Sequence, residues 1–402
     1  MIDEPTPSSR SLRGLDAFVF FLADVQTGWG PFVAAYLTSV AWSQLDIGFV
    51  LTAGTLASLA LQIPAGAAVD RLRAKRLAAA VAVAAISSSA LILALWPSFA
   101  PVLAAKLFHA IASCLVGPAI AAISLGLVGH AALGVRLGRN ARYLSLGNAI
   151  AAGAMGLTAY YFGNRAIFFF TAALGVPTLA ALAQIRAREI DPELARGGVA
   201  AWRPDLRWSA LSELARNRAL LVFAAAIVLF QLANAAMLPI LAGILTLRTP
   251  ATATLLLSVC ILAPQFVVAA IAPWVGREAQ RRGRRPLLVL CFAALALRAA
   301  IFAVSADPRV VFAAQLFDGI SAATLGVLVP LVIADTTRGS GHFNLAQGAV
   351  GAAVGIGASA STSLAGAIAD AWGAGAAFAL LAGVAAAGLA LVIARMPETR
   401  PA

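Results

Sequence analysis

Apolar stretches long enough to cross a hydrocarbon core, each near 20 residues, recur along the whole chain with short polar breaks between them. They fall at 15–38, 46–69, 77–96, 99–129, 142–162, 165–184, 219–244, 252–275, 286–305, 309–334, 343–368 and 374–395. The pattern predicts an all-α membrane protein of twelve spans. The second half repeats the first at an offset of about 210 residues. Phe20–Asp24 returns as Phe230–Asn234, and Lys106-Leu107-Phe108-His109 as Gln315-Leu316-Phe317-Asp318. Gly66, Asp70, Arg71, Arg73, Lys75 and Arg76 return as Gly276, Gln280, Arg281, Gly283, Arg284 and Arg285. Two six-helix, pseudo-symmetric bundles are therefore expected, 1–185 and 219–402, joined by a polar linker at 186–218.

Composition agrees: 61% of residues are hydrophobic and only 11% charged, far from a soluble globular domain. The net charge of +12 would suggest nucleic acid were it not for its distribution. Nearly all 29 basic residues fall in the termini and the even-numbered connections, and the odd-numbered ones hold only Arg165, Arg248 and Arg309. Basic loops stay on the cytoplasmic side, so both termini are expected there, in a bacterial inner (plasma) membrane, and no nucleic-acid partner follows. The first apolar stretch contains Asp24 and Gln26 and lacks a cleavage pattern, so it reads as a span rather than a leader. Cys114, Cys260 and Cys291 lie inside apolar segments without metal-ligand spacing. Without HExxH, GxxxxGK[ST] or GxSxG, neither catalysis nor ATP binding is indicated. An enzyme is not expected, nor a metal or cofactor. Trp202, Leu206, Trp208 and Leu211 give the linker an intermittent apolar side, consistent with a helix at the membrane surface.

Two six-span halves with the Gly66–Arg76 signature between spans 2 and 3 resemble the major facilitator superfamily over the entire chain. The family signature is Gly-x-x-x-Asp-Arg/Lys-x-Gly-x-Arg/Lys-Arg/Lys; the first copy has Arg73 in place of the usual Gly, the second Gln280 in place of Asp. The resemblance implies secondary transport by alternating access. Gly66 allows close helix approach, and Asp70 is placed to face a helix N-terminus or an Arg, closing the cytoplasmic side as a latch. Gln280 carries no charge, so the first copy should dominate.

Ionisable groups inside spans mark pathways, since each is costly unless paired or facing water. Asp24 precedes Gly28-Trp29-Gly30-Pro31, a kink-prone sequence. Lys106 and His109 share a face at i and i+3, as do Gln315 and Asp318. Because spans 1, 4, 7 and 10 line the path in this superfamily, the resemblance places Asp24, Lys106, His109, Asn234, Gln315 and Asp318 around one substrate and proton-coupling cavity. Lys106 and Asp318 are expected to compensate one another, and Arg298 in span 9 to snorkel outward. Span 4 resembles drug/proton antiporters, with Lys106 at the usual Arg position and His109 where Gln is often found. The span-5 antiporter signature is only half present: Gly147, Gly153 and Gly156 occur without the following Pro. The expectation is proton-coupled export of a small organic solute by a monomer. The alternatives are proton-symport uptake of a small metabolite or siderophore, and a non-transporting sensor or lipid-moving protein on the same fold.

Overall fold

The computed structural model describes residues 7–27, 31–198, 208–248, 253–305 and 307–400. Among them there are helices and turns but no strand. The helices are α1 (Ser9–Thr27), α2 (Pro31–Ser39), α3 (Gln44–Arg71), α4 (Lys75–Leu95), α5 (Phe99–Phe162), α6 (Asn164–Gln184) and α7 (Trp208–Arg216). They continue as α8 (Arg218–Asn234), α9 (Met237–Arg248), α10 (Ala253–Arg282), α11 (Arg285–Val304), α12 (Pro308–Thr336), α13 (Phe343–Trp372) and α14 (Ala374–Arg395). Ten helices in the described residues are long and apolar enough to cross a membrane.

The expected spans 4 and 5 form one helical element, α5, 64 residues long and broken at Gly129 (φ 68°, ψ 179°). Only glycine takes that conformation without strain. The polar residues 130–141, expected as a connection, continue the helix because their charges find partners inside the fold. Span 7 is divided into α8 and α9 by a turn at Ala235 and Ala236. The predicted kink at residues 28–30 lies outside the described residues. The linker forms two 3-10 turns, Ala187–Glu189 and Leu194–Arg196, followed by α7; Trp202 and Leu206 lie outside the described residues.

The chain folds as two compact units. The first comprises residues 1–204 with 337–349, the second 205–336 with 350–402. In the first, α5 packs against α1, α3 and α4, and α6 against α1 and α4. Leu15, Phe18, Leu22, Val83, Ile86 and Phe168 form its buried centre, with Tyr36 and Phe168 in ring contact at 5.1 Å. In the second, α11 packs on α12 and α14, α10 on α12, and α8 on α14. Edge-to-face pairs Phe230–Phe292 and Phe302–Phe378 fill its core, the geometry aromatic quadrupoles favour. The duplication is visible locally: Gly163 before α6 and Gly373 before α14 have φ/ψ of 84°/163° and 85°/163°. The exposed Trp96, Tyr160, Tyr161, Phe162 and Trp372 sit at the ends of α4, α5 and α13 that lead into arginine-poor turns, where interfacial aromatics are found.

Candidate functional site: polar groups inside the two helical units

In the first unit, α3 and α5 share a seam of small and polar residues. Gly54 leaves room for the Lys106 stem: a Cβ there would lie 2.7 Å from its Cγ. One turn further along α5, His109 Nε2 is 3.2 Å from Ser113 Oγ. The Cys114 thiol donates to the Ser58 carbonyl at 3.4 Å, a packing role for that cysteine. Lys106 and His109 are both half-buried. Asp24 belongs to α1, but its side chain lies outside what the structure describes.

In the second unit, Arg298 of α11 is the centre of a polar cluster. It is 2% exposed and forms an ion pair with Asp318 of α12. It also donates to Asn234 Oδ1 at the end of α8 and contacts Met237 Sδ at 3.1 Å. In the turn after α8 the Ala236 N–H, freed from the helix ladder, donates to Ser361 Oγ at 3.0 Å. Gln315 is buried one turn before Asp318 on the same helix. Arg298 therefore does not snorkel outward as expected. An arginine with an acid on the neighbouring helix can stay inside, because their attraction offsets part of the desolvation cost each charge would carry alone. Asp318 has a counter-charge within its own unit in Arg298, a partner the sequence reading did not give it.

The first signature copy is built around Asp70. Its Oδ1 accepts the backbone N–H (3.1 Å) and side-chain amide (2.7 Å) of Asn344, and its Oδ2 the N–H of Leu345 (2.8 Å). Both N–H groups belong to the first turn of α13, where donors have no intrahelical partner and the helix dipole favours an anion. The approach is close because neither helix carries a Cβ in the way. A Cβ on Gly66 would strike the Asn344 carbonyl, and one on Gly348 the Gln62 carbonyl. The second amide proton of Asn344 goes to the Ala195 carbonyl at 3.1 Å, and Gly339 N–H donates to the Gly197 carbonyl at 2.6 Å. The linker thus lies against the same helix start. Lys75, 1% exposed, turns back to the Val69 and Asp70 carbonyls at the end of α3. Arg76 donates to the Ile185 carbonyl at 2.6 Å, and Arg71 is exposed.

The second copy does different work. Arg284 is fully buried and bonds to Asp335 through Nε (2.8 Å) and Nη2 (3.3 Å), and to the Ala279 carbonyl (2.7 Å). Glu398 accepts the backbone N–H groups of Arg284 and Arg285 at 2.8 and 3.1 Å. Burial pushes the Glu398 carboxyl up, but these N–H groups and the Arg284 charge outweigh it and hold it below the usual carboxylate range. Arg285 reaches the Ile393 carbonyl, as Arg76 reaches Ile185. By these contacts Arg284 corresponds to Lys75 and Arg285 to Arg76, an offset of 209 where Gly66 and Gly276 differ by 210. Gln280 is half-buried, Gly276 buried in α10, and Arg281 exposed and 3.4 Å from Glu278. Gly283 provides the left-handed turn (φ 97°) beside Glu398. An acid anchors a helix start in one copy; a base anchors an acid in the other.

The Major Facilitator Superfamily pattern matches residues 17–278 and 232–402. Two Mycobacterium tuberculosis strains carry a protein named as an uncharacterized MFS-type transporter. It is 40% identical over 392 residues, 97% of this chain and 94% of that protein. The chain belongs to the major facilitator superfamily and is a multi-pass secondary transporter. Over 86 residues, 21% of each chain, it is 37% identical to the class B tetracycline resistance protein of Escherichia coli. Its fold is that of the human organic anion transporter MFSD10 (TM-score 0.74, 15% identity, 95% and 99% of the two chains). It is also that of the Escherichia coli fucose:proton symporter FucP (TM-score 0.76, 16% identity, 96% and 98%).

Proposed function

We propose that this transporter exports a small organic solute in exchange for protons, by alternating access, from a bacterial inner membrane with both termini cytoplasmic. The observation that carries the reading is the Arg298–Asp318–Asn234 cluster. A half-buried carboxylate held by a guanidinium that has a second, neutral acceptor can take up a proton and leave the arginine bonded to that acceptor, still hydrogen-bonded although its counter-charge is gone. Protonation of Asp318 breaks the ion pair while Arg298 keeps its proton and its bond to Asn234. Asp24, on span 1, is proposed as a further carboxylate on the proton path. Lys106, His109 and Gln315 are proposed as solute contacts. The Asp70 clamp on α13 is proposed as the cytoplasmic latch, alternately made and broken. The Lys/Arg distribution supports the orientation, and the short similarity to the tetracycline resistance protein supports export.

The test is a proteoliposome assay with the cytoplasmic side outward, an acidic lumen, a lumenal pH dye and a mixed solute panel. Antiport predicts lumen alkalinisation on solute addition, absent in Asp318→Asn. Solute and protons entering the lumen together would mean symport and overturn the export reading.

A further inference from the structure

We infer that the groove between α1 and the arm of α5 beyond Gly129, at the arginine-rich end of the first unit, is a binding site for one anionic phospholipid. The two helices meet at Gly147, where a Cβ would collide with the Phe20 carbonyl. Nearer the arginine-rich end their separation is fixed by side chains. Asp16 of α1, buried, is paired with both Arg136 and Arg139 of α5. Arg136 Nε donates to Asn140 Oδ1 at 2.9 Å, and Asn140 Nδ2 to Ser124 Oγ at 2.8 Å. Beside this network lies a cavity of about 260 Å³, open to one side and bounded by Arg13, Asp16, Ala17, Phe20, Phe21 and Tyr143.

The cavity has two kinds of wall. Phe20, Phe21 and Tyr143 give it an apolar body, and the next residue on α5, Leu144, is 40% exposed, as expected of a surface against acyl chains. At the other end, three arginines stand against one carboxylate. Arg136 is buried and its charge is spent on Asp16, whereas Arg139 is 48% exposed at its side chain and Arg13 is exposed. The excess positive charge sits where a headgroup would lie, one step from an aromatic slot. A phosphodiester with a net negative charge and two apolar chains complements both. A zwitterionic lipid would bring its own cation to the arginines, and free phosphate would leave the aromatic slot unused.

The experiment uses the full chain purified in detergent, with phosphatidylglycerol as the probe. Native mass spectrometry should show one phosphatidylglycerol retained per chain. The thermal midpoint should rise with phosphatidylglycerol, but not with phosphatidylcholine or inorganic phosphate. Arg13→Glu reverses the charge at the headgroup end and Ala17→Trp fills the slot. Arg13→Glu should lower retention at least about five-fold, the effect of losing one basic residue near an anionic lipid; Ala17→Trp should lower it by blocking the slot, and both should leave the midpoint in phosphatidylcholine unchanged. The two variants act at different parts of the groove, so a folding defect in one leaves the other to decide. Retention equal to the parent in a folded variant, or equal stabilisation by phosphatidylcholine or phosphate, overturns the site.

Discussion

Asp70 and Asn344 lie 274 residues apart in sequence, yet one carboxylate oxygen of Asp70 accepts both the main-chain and side-chain N–H groups of Asn344. The clamp combines charge-assisted hydrogen bonds, each worth about 1.5–3 kcal/mol, with a favourable helix-dipole position. Asp70→Asn keeps the size but loses the charge, and an amide cannot accept at both positions. Cysteine labelling of the two vestibules should shift toward the cytoplasm-open state by about tenfold. Gln280→Ala should do far less, and equal shifts would remove the asymmetry between the copies.

Gly66 supports the same clamp sterically. Gly66→Ala places a methyl group against the Asn344 carbonyl, and overpacking of this kind costs about 1–3 kcal/mol. Labelling should move in the same direction as in Asp70→Asn, and the Asp70→Asn, Gly66→Ala double variant should add little further, since both changes break one contact. A fully additive shift would show that the two residues act separately.

Breaking the Arg298–Asp318 pair from one side should cost more than removing it. Arg298→Met leaves Asp318 without its counter-charge and should destabilise by about 3 kcal/mol. Asp318→Leu in the same chain should restore much of that stability. Lys106→Met, by contrast, should not rescue Asp318→Asn. Thermal melts of these variants decide it: rescue by Lys106→Met would return Asp318 to the partner expected from the repeat.

The linker is tied to α1 by Glu189, which accepts the backbone N–H (3.0 Å) and hydroxyl (2.8 Å) of Ser8. Hydrogen bonds from Ser11 first, and then from Ser8 and Arg186, hold its carboxyl down to about 2 against an ordinary value of 4.5. The depressed value means that its contribution to stability is complete above 4.5 and is lost as pH falls toward 2. Glu189→Gln should lower the thermal midpoint near neutrality and flatten its decline in acid. A parallel decline in parent and variant would contradict this.

The duplication, the span pattern and the two kinds of partner open to Asp70, a helix start or an arginine, were legible in the sequence, because each follows from local composition or from a short motif; the structure selects the helix start. What was not legible depended on partners far away in the chain. Asn344 carries no sign of its role. Arg298 has serines, Ser88 and Ser89, near the equivalent point of the first half, so repeat symmetry drew attention to Asp318 and away from the residue that pairs with it. Opposite charges in adjacent spans 9 and 10 were the available signal. Residues 130–141 read as a connection because of Arg136, Arg139 and Asn140; the structure keeps them helical by giving both arginines to Asp16. The second motif is one residue shorter than the first because the turn after α10 is shorter than that after α3.

Proton coupling through Asp318 is tested most directly by comparing two modes of transport in one variant. In proteoliposomes, Asp318→Asn should retain solute exchange at equilibrium, because the permanently uncharged side chain still permits the solute-loaded protein to change conformation. It should lose accumulation driven by a pH gradient, with Arg298 held by Asn234 alone. Gradient-driven accumulation equal to that of the parent would contradict the account.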